Sequence, residues 1–314
     1  MGVAWPEELD EVIGGDQVVA HGYVTPARGV VVNPLTNFAL CDRAAGTLVV
    51  NSSVAMWSKL ERMRRDPQVA VAFHTRDHAV SDRPEYVLVQ GDAAVPPLDD
   101  RDGWLDELGD RWERFGGQSR RVGRRWEWWM HAYHWRVNVR ISAHRIVVWP
   151  DLACRGVPTA YGAPLAAAPP DPQRPPKGGS GPRVDQVRAA RRAGRLPHRV
   201  LGWVGADGYP MLVPIEVLGA DDRGIRLEAP PSVVPAGGRR AGLAAHWFAR
   251  YTLGQHQRKL TGWLEASPDE VVYAPHTESG YWFPRSRFVY RLASGFVTRR
   301  RLRQAQRAGV VPTR

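Results

Sequence analysis

The sequence predicts a mainly β protein with flanking helices, built as two halves of similar design. Short runs rich in β-branched and aromatic residues recur between turn residues on both sides of a proline-rich segment, which is typical of antiparallel sheets. These runs follow the same order in each half, which indicates an internal duplication. The chain has 314 residues, of which 43% are hydrophobic, so each half has enough apolar side chains for its own core.

Residues 151–186 divide the chain, because this segment is crowded with proline and glycine and has no hydrophobic periodicity. Proline fixes φ and removes a backbone donor, so the segment is predicted to be a linker. A linker of this length is expected to run along a surface. It separates a first domain at 1–150 from a second at 187–284, and residues 285–314 are predicted to form a basic C-terminal arm.

The first domain alternates β-prone runs with two helical runs. Strands are predicted at 17–25, 29–32, 37–40, 47–50, 69–73, 86–89, 136–141 and 145–149. Helices are predicted at 100–115 and 125–134. The pattern favours a small antiparallel sheet or barrel with helices packed outside it.

The second domain begins in the same way as the first. Residues 198–204 and 211–217 are predicted to form a hairpin around a turn at 205–208. Further strands are predicted at 224–229, 242–249 and 259–265. Residues 90–93 and 261–264 each have glycine in second place and occupy similar positions in the two halves, which supports a duplication. The alternative is that any two β-rich halves look alike at this level.

The segment TLVVNSSVAMWSKLERMRRDP, residues 47–67, predicts an anion-binding turn. A strand ends at Val50, and Asn51, Ser52 and Ser53 lead into a helix. Ser or Asn at a helix N-cap accepts a hydrogen bond, and the remaining free N–H groups favour a negative charge. Lys59 lies in this helix and is one of only three lysines among 43 basic residues. Phosphate is the expected guest, and the alternative is a capped surface helix whose lysine faces solvent.

The order of these features resembles the pyridoxamine 5'-phosphate oxidase-like family of flavin-binding split β-barrels, which includes FMN and deazaflavin F420 enzymes. The resemblance rests on the strand at 47–50, the two serines, Lys59, the Asp66-Pro67 dipeptide, the strand at 69–73 and Gly91. It covers residues 20–95 and, more weakly, residues 196–266.

The resemblance implies two tandem split β-barrels of the FMN-binding type and an oxidoreductase that acts on a small organic substrate. It implies FMN as cofactor, with F420 as the alternative. Val50, Asn51 and Ser52 would run past the ring and ribityl chain, whereas Ser53, Ser58 and Lys59 would meet the phosphate. No catalytic residue is identified.

Family members usually dimerise, so the resemblance also implies a pseudo-dimer within the chain or a homodimer. Gln257, Arg258 and Lys259 are then candidates for reaching across, and the alternative is a polar strand end. The chain has Glu85-Tyr86 where the vitamin B6 oxidase has an Arg-Gln pair, which leaves the substrate open. In the second half, Arg239 and Arg240 replace the Ser/Lys pattern as candidate anion ligands.

Two further features raise a different function, a binding module for cofactor or nucleic acid without turnover. The net charge is +11, and from Arg285 to the end there are nine arginines and no acidic residue. A solvated arm is the favoured interpretation, and a polyanion-binding patch is the alternative. The run WEWWMHAYHW at 126–135 is interpreted as the buried stripe of an amphipathic helix, although its aromatics could stack on bases or cover a flavin ring.

Other site types are not supported by the sequence. His131 and His134 suit one helix face but no third ligand follows, so no metal is expected. Cys41 and Cys154 have no metal or disulfide spacing. The N-terminus does not resemble a signal peptide and no run of about 18 apolar residues occurs, so we expect a cytoplasmic protein without a membrane partner.

Overall fold

A computed structural model describes residues 2–15, 18–100, 103–116, 123–230, 232–252 and 254–312. Residue 17 of the first predicted strand, residues 101–102 of a predicted helix and residues 313–314 of the arm lie outside this range. Within it, strands dominate and helices lie at their edges.

The first half contains an antiparallel sheet and short helices. Its strands are β1 (Val18–Val24), β2 (Val30–Thr36), β3 (Cys41–Asp42), β4 (Thr47–Ser53), β5 (Gln68–Phe73), β6 (Tyr86–Ala94), β7 (Arg136–Trp149) and β8 (Thr159–Gly162). Its helices are α1 (Asp10–Ile13), α2 (Trp57–Arg65), α3 (Gly103–Leu108), α4 (Arg111–Gly116) and α5 (Arg124–His134). Short 3₁₀ turns cover Glu7–Leu9 and Val54–Met56.

The second half contains a second antiparallel sheet, and one helix precedes and another follows its strands in the chain. Its strands are β9 (His198–Val204), β10 (Pro210–Pro214), β11 (Glu216–Ala220), β12 (Ile225–Glu228), β13 (Gly237–Phe248), β14 (Gln255–Ala266) and β15 (Val271–Phe283). The helices are α6 (Gln186–Gly194) and α7 (Arg287–Arg307), and a 3₁₀ turn covers Arg250–Thr252.

The two sheets have the same topology. The first runs β2-β1-β5-β6-β7-β4-β3, and the second runs β10-β9-β13-β14-β15-β12-β11, which is the same order with each strand number raised by eight. The predicted fold class, mainly β with two tandem barrel units of the split-barrel type and flanking helices, is therefore confirmed, and the duplication is visible in the topology itself.

A β-bulge at equivalent places marks the same duplication. The register shifts between Gln90 and Gly91 in β6 and between Thr261 and Gly262 in β14. Both glycines are needed, because a Cβ would lie 2.2 Å from the Ser142 carbonyl oxygen in one half and 2.1 Å from the Ala274 carbonyl oxygen in the other. The similar placement of residues 90–93 and 261–264 is thus confirmed.

The halves pack closely through equivalent glycines. Gly22 in β1 faces Leu212 of the second half and Gly202 in β9 faces Val32 of the first half, and in each case a Cβ would lie 2.8 Å from that side chain. Residues of both halves form one buried cluster here, which includes Val32 and Ala244. The Tyr86 hydroxyl donates to the Leu212 carbonyl across the interface at 2.8 Å. The two sheets therefore share a continuous apolar interface.

Several predicted strand boundaries were wrong. The strand expected at 37–40 is irregular, because the Asn37 side chain bonds the backbone of Ala39, and the strand β3 begins only at Cys41. The two strands expected at 136–141 and 145–149 form the single strand β7. The strand expected at 211–217 is divided between β10 and β11. The strand β15 was not predicted.

The linker and the C-terminal arm both pack on the barrels. Within the linker, β8 pairs with β7, and the Gln173 backbone N–H donates to the Gly238 carbonyl at 2.7 Å. The arm forms α7, whose residues Leu302 and Ala305 join the core of the first half. None of the described helices is long and apolar enough to cross a membrane.

Candidate functional site

The strand β4 and the helix α2 place the residues of the predicted anion-binding turn. The strand does not end at Val50, because Asn51, Ser52 and Ser53 continue its pairing with β7. The helix does not begin on the serines, since a 3₁₀ turn intervenes and α2 starts at Trp57. The Ser53 hydroxyl caps that turn by accepting from the Ala55 N–H at 3.2 Å.

The polar side chains of β4 are bonded within the protein. Asn51 donates to the Asn138 side chain at 2.7 Å and accepts from the Arg136 guanidinium. The Ser52 hydroxyl donates to the Ser53 carbonyl and the Ser53 hydroxyl to the Ala132 carbonyl, both at 3.4 Å. These long hydroxyl bonds are weak and could be exchanged for a ligand.

The remaining predicted ligands lie in different environments. Val50 packs in the core of the first half. Ser58 is exposed on α2. Lys59 is buried, with 7% of its surface exposed, so the interpretation of a solvent-facing lysine is wrong. Their assignment as cofactor ligands stays a prediction.

Lys59 is a buried cation among other cations. Burial, followed by the charges of Arg136 and Lys259, lowers the pKa of Lys59 to about 7. No hydrogen bond or ion pair to its ammonium group is present among the described residues. A buried cation without a partner is costly, and a bound anion would remove that cost.

His21 lies beside Lys59 and was not predicted from the sequence. It is fully buried in β1, and neither ring nitrogen has a hydrogen-bond partner. Burial, followed by the charge of Lys59, lowers the pKa of His21 to about 3, so the ring is neutral at pH 7. Its signal in the sequence is only a single polar residue within an apolar strand, which does not distinguish a ligand from a core histidine.

The second half supplies the opposite wall through β14 and β15. Alternate residues of a strand share a face. On this face, three residues of β14 pair with three of β15: Gln257 with Tyr281, Lys259 with Ser279 and Thr261 with Thr277. Lys259 reaches the first half, where its ammonium donates to the Asn33 side chain at 2.9 Å. Asn33 pairs directly with His21. Of the three candidates for reaching across, Lys259 makes such a contact, whereas Gln257 bonds Tyr281 and Arg258 lies near Glu278 within the second half.

A cavity of about 440 Å³ opens between these walls. Its cationic side chains are Arg62, Arg240 and Lys259, and it also contains hydroxyls of Thr261 and Thr277. The described lining contains no aspartate or glutamate. Burial lowers the pKa of Lys259 to about 8, with a further contribution from the charge of Arg301. The cleft between the halves is thus suited to an anionic ligand of cofactor size.

The equivalent cleft on the other side is filled by the protein. In β6, Gln90 stands where β14 has Thr261, and its amide donates to the Pro210 carbonyl at 2.6 Å. Arg145, the counterpart of Thr277, donates to Gln90 and pairs with Asp207. Long side chains close this cleft, whereas two threonines leave the first one open.

Arg239 and Arg240 do not form a second anion-binding turn like the first. Arg239 is buried and donates to the backbone carbonyls of Pro170, Pro235 and Ala236. Arg240 bonds the Gln173 side chain at 3.2 Å and also borders the open cleft. In the duplicated order, the segment between β12 and β13 corresponds to the one that contains α2, and its described residues form no helix.

The aromatic run is helical, as expected from its spacing. Of the expected stripe, Met130 is buried and Trp126, Trp129 and Tyr133 are half-buried. Trp128, which is not part of that stripe, is exposed. No group of three or more metal-ligating side chains suited to a metal ion occurs among the described residues.

No protein-family model and no curated protein matches the chain. Among solved structures it is similar to a conserved hypothetical protein from Mycobacterium tuberculosis, at 19% identity and a TM-score of 0.35, over 49% of this chain and 89% of that one. It is also similar to a general stress protein 26-related protein of the pyridoxinephosphate oxidase family from Clostridium acetobutylicum, at 11% identity and a TM-score of 0.35, over 49% and 92%. An F420 reductase is 15% identical, with a TM-score of 0.33, over 45% and 98%.

Proposed function

We propose that this protein is a flavin-dependent oxidoreductase of the pyridoxamine 5'-phosphate oxidase-like kind. It binds FMN in the open cleft between its halves and transfers two electrons between this cofactor and a small organic substrate. F420 is the alternative cofactor. The observation that carries the proposal is a cleft whose described lining contains the cations Arg62, Arg240 and Lys259, together with hydroxyls and no carboxylate. The helix that supplies Arg62 also contains the buried Lys59, whose ammonium group has no partner among the described residues.

The residues present fit a phosphorylated cofactor. Lys59 from the first half and Lys259 from the second would hold the phosphate, and the Ser53 hydroxyl would add a donor. When bound, the cofactor supplies the redox chemistry, and the protein contributes binding, orientation and a positive electrostatic environment.

The absorption spectrum of the purified protein tests the proposal and separates the two cofactors. Bound FMN gives two visible bands, whereas F420 gives one band near the violet edge. Mass spectrometry of the molecule released on heating identifies it. A colourless protein that binds neither FMN nor F420 in calorimetry would show that the proposed function is wrong.

A further inference from the structure

The C-terminal helix α7 buries mostly small and polar side chains, together with Tyr290 and Leu302, and exposes several large apolar ones. Its packed face includes Ser294, Gly295 and Thr298. Phe288 and Phe296 are 63% and 60% exposed. A surface helix normally turns its apolar face inward, so the outward face of α7 is not explained by the folding of this chain.

Specific contacts fix this orientation of α7 against α5. The Trp129 indole N–H lies 3.2 Å from the carbonyl oxygens of Arg291 and Leu292. A Cβ at Gly295 would lie 2.1 Å from the same indole nitrogen, so only glycine allows the two helices to approach this closely. Rotating α7 to bury its phenylalanines would break these contacts.

Basic and aromatic side chains surround the exposed apolar residues. Arg300, Arg303 and Arg307 continue the outward face at helical spacing, and all three are exposed. Trp128 on α5 is 65% exposed, and the Arg299 guanidinium lies 4.1 Å from its ring centroid. The described residues from 285 to 312 contain no acidic side chain.

We propose that this face docks on an anionic lipid surface. The aromatic–arginine face is defined by the following residues: Trp128, Phe288, Leu292, Phe296, Arg300, Arg303 and Arg307. Arginines attract acidic headgroups, and a row of exposed Phe, Leu and Trp side chains enters the boundary between headgroups and acyl chains. The helix lies on the membrane and does not span it.

The composition of the face favours lipid over two other occupants. Nucleic acid would use the arginines and Trp128, but it offers no apolar interior for Leu292 or for the neighbouring Val289, which is 40% exposed. A second copy docking by the same face would place arginine rows against each other, which is electrostatically unfavourable.

Co-sedimentation of the full chain with vesicles tests the proposal. The protein should bind vesicles of mixed phosphatidylglycerol and phosphatidylcholine, and should leave pure phosphatidylcholine vesicles in the supernatant. The triple variant F288Q/L292Q/F296Q removes the apolar part, and R300Q/R303Q/R307Q removes charge. Each should weaken binding by at least about tenfold. The first variant loses the apolar side chains that enter the lipid boundary, and the second loses three charges that are attracted to acidic headgroups.

Matched controls keep the outcome decisive. Val157→Gln changes an exposed apolar residue outside the face and should bind like the wild type, and circular dichroism confirms that each variant is folded. Absence of vesicle binding, or binding unaffected by the glutamine variants of the apolar residues, would overturn the proposal. Salt-sensitive binding of random DNA without vesicle binding would assign the face to nucleic acid, and a dimer that F288Q/L292Q/F296Q dissociates would assign it to a second copy.

Discussion

Lys59 is the residue at which folding and ligand binding place opposite demands on protonation. Its ammonium group is buried and has only cationic neighbours among the charges that shift its pKa. In the absence of a ligand, this arrangement favours the neutral amine. A bound phosphate reverses the preference, so ligand binding and protonation of Lys59 are coupled.

We therefore predict that cofactor affinity falls as pH rises from about 7.5 to 9.5. In this range a phosphate monoester is already a dianion, because its second pKa is about 6. The free protein, in contrast, progressively loses the protons of Lys59 and Lys259, because their pKa values are about 7 and about 8. Calorimetric titration of FMN at several pH values measures the slope. Lys59→Met should bind more weakly with a flatter pH dependence, and an identical slope in that variant would contradict the assignment.

The buried histidines predict a loss of stability in acid. Burial lowers the pKa of both His21 and His74 to about 3 from 6.5. Below pH 6.5 the unfolded chain binds protons that the folded protein excludes, so the free energy of unfolding falls by about 1.4 kcal/mol per pH unit for each histidine, down to about pH 3.

Urea unfolding between pH 7 and 4 measures this dependence. His74→Gln should remove one histidine's share of the slope. A wild-type stability that does not change over this range would show that these rings are protonated in the folded state.

At the residue level, the sequence identifies part of the site. Lys59 was selected because lysine is scarce in this chain, and Lys259 was a candidate for reaching across from the second half. Lys259 lines the cleft, whereas Lys59 is buried in the same helix as Arg62, which lines it. Ser58 lies exposed on α2, since its position depends on where the helix begins, and the 3₁₀ turn after Ser53 shifts that start. His21 was missed because its neighbours in space come from other strands.

The elements β6 and β14 occupy equivalent places but leave different space beside them. Gln90 and Arg145 fill the closed cleft, whereas Thr261 and Thr277, whose hydroxyl oxygens lie 2.7 Å apart, leave the other open. The length of two side chains therefore decides which cleft can take a ligand.

We predict that Thr261→Gln weakens cofactor binding by about tenfold or more. The longer glutamine side chain would occupy part of the open cleft, and its hydrogen bonds would have to be broken before the cofactor could bind there. Thr261→Ser keeps the size and the hydroxyl and should bind like the wild type. FMN titration of the two variants provides the comparison. Equal affinity in both would place the ligand away from this strand.

Among the elements that the sequence did not predict, two were missed for physical reasons that are visible in their sequences. The strand β15 contains Pro275, Gly280 and several polar residues, and its pairing with β14 along nearly its whole length overrides their low strand propensity. The helix α7 has a packed face of small and polar residues, so it lacks the apolar periodicity by which helices are recognised. For the same reason the sequence alone predicts no membrane partner, since the exposed apolar face exists only in the fold.

At the scale of the whole molecule, the duplication gives two sheets of equivalent strand order with unequal clefts between them. Each half contributes one wall to the open cleft, with Arg62 from the first half and Lys259 from the second, and the halves are joined by a continuous apolar interface. The repetition was predictable because β-prone runs recur in the same order along both halves of the chain. The order of the strands within each sheet differs from their order in the chain and was not predicted. Which cleft is open was not predictable, since it depends on contacts between the two halves.

The unequal clefts predict one cofactor per chain. Calorimetry or spectral titration should give a stoichiometry near one, because Gln90 and the Arg145–Asp207 ion pair fill the second cleft. Two equivalent cofactors per chain would contradict this prediction and would require the closed cleft to open.

The most direct test of the central claim is calorimetric titration of FMN and of F420 into the wild type, Lys59→Ala and Lys259→Ala, with exposed Lys177→Ala as the matched control. Each cleft substitution should weaken binding by about 1.5–3 kcal/mol, the scale of a charge-assisted hydrogen bond, and Lys177→Ala should bind like the wild type. Unchanged affinity in Lys59→Ala would contradict the claim that the two halves hold a phosphorylated cofactor between them.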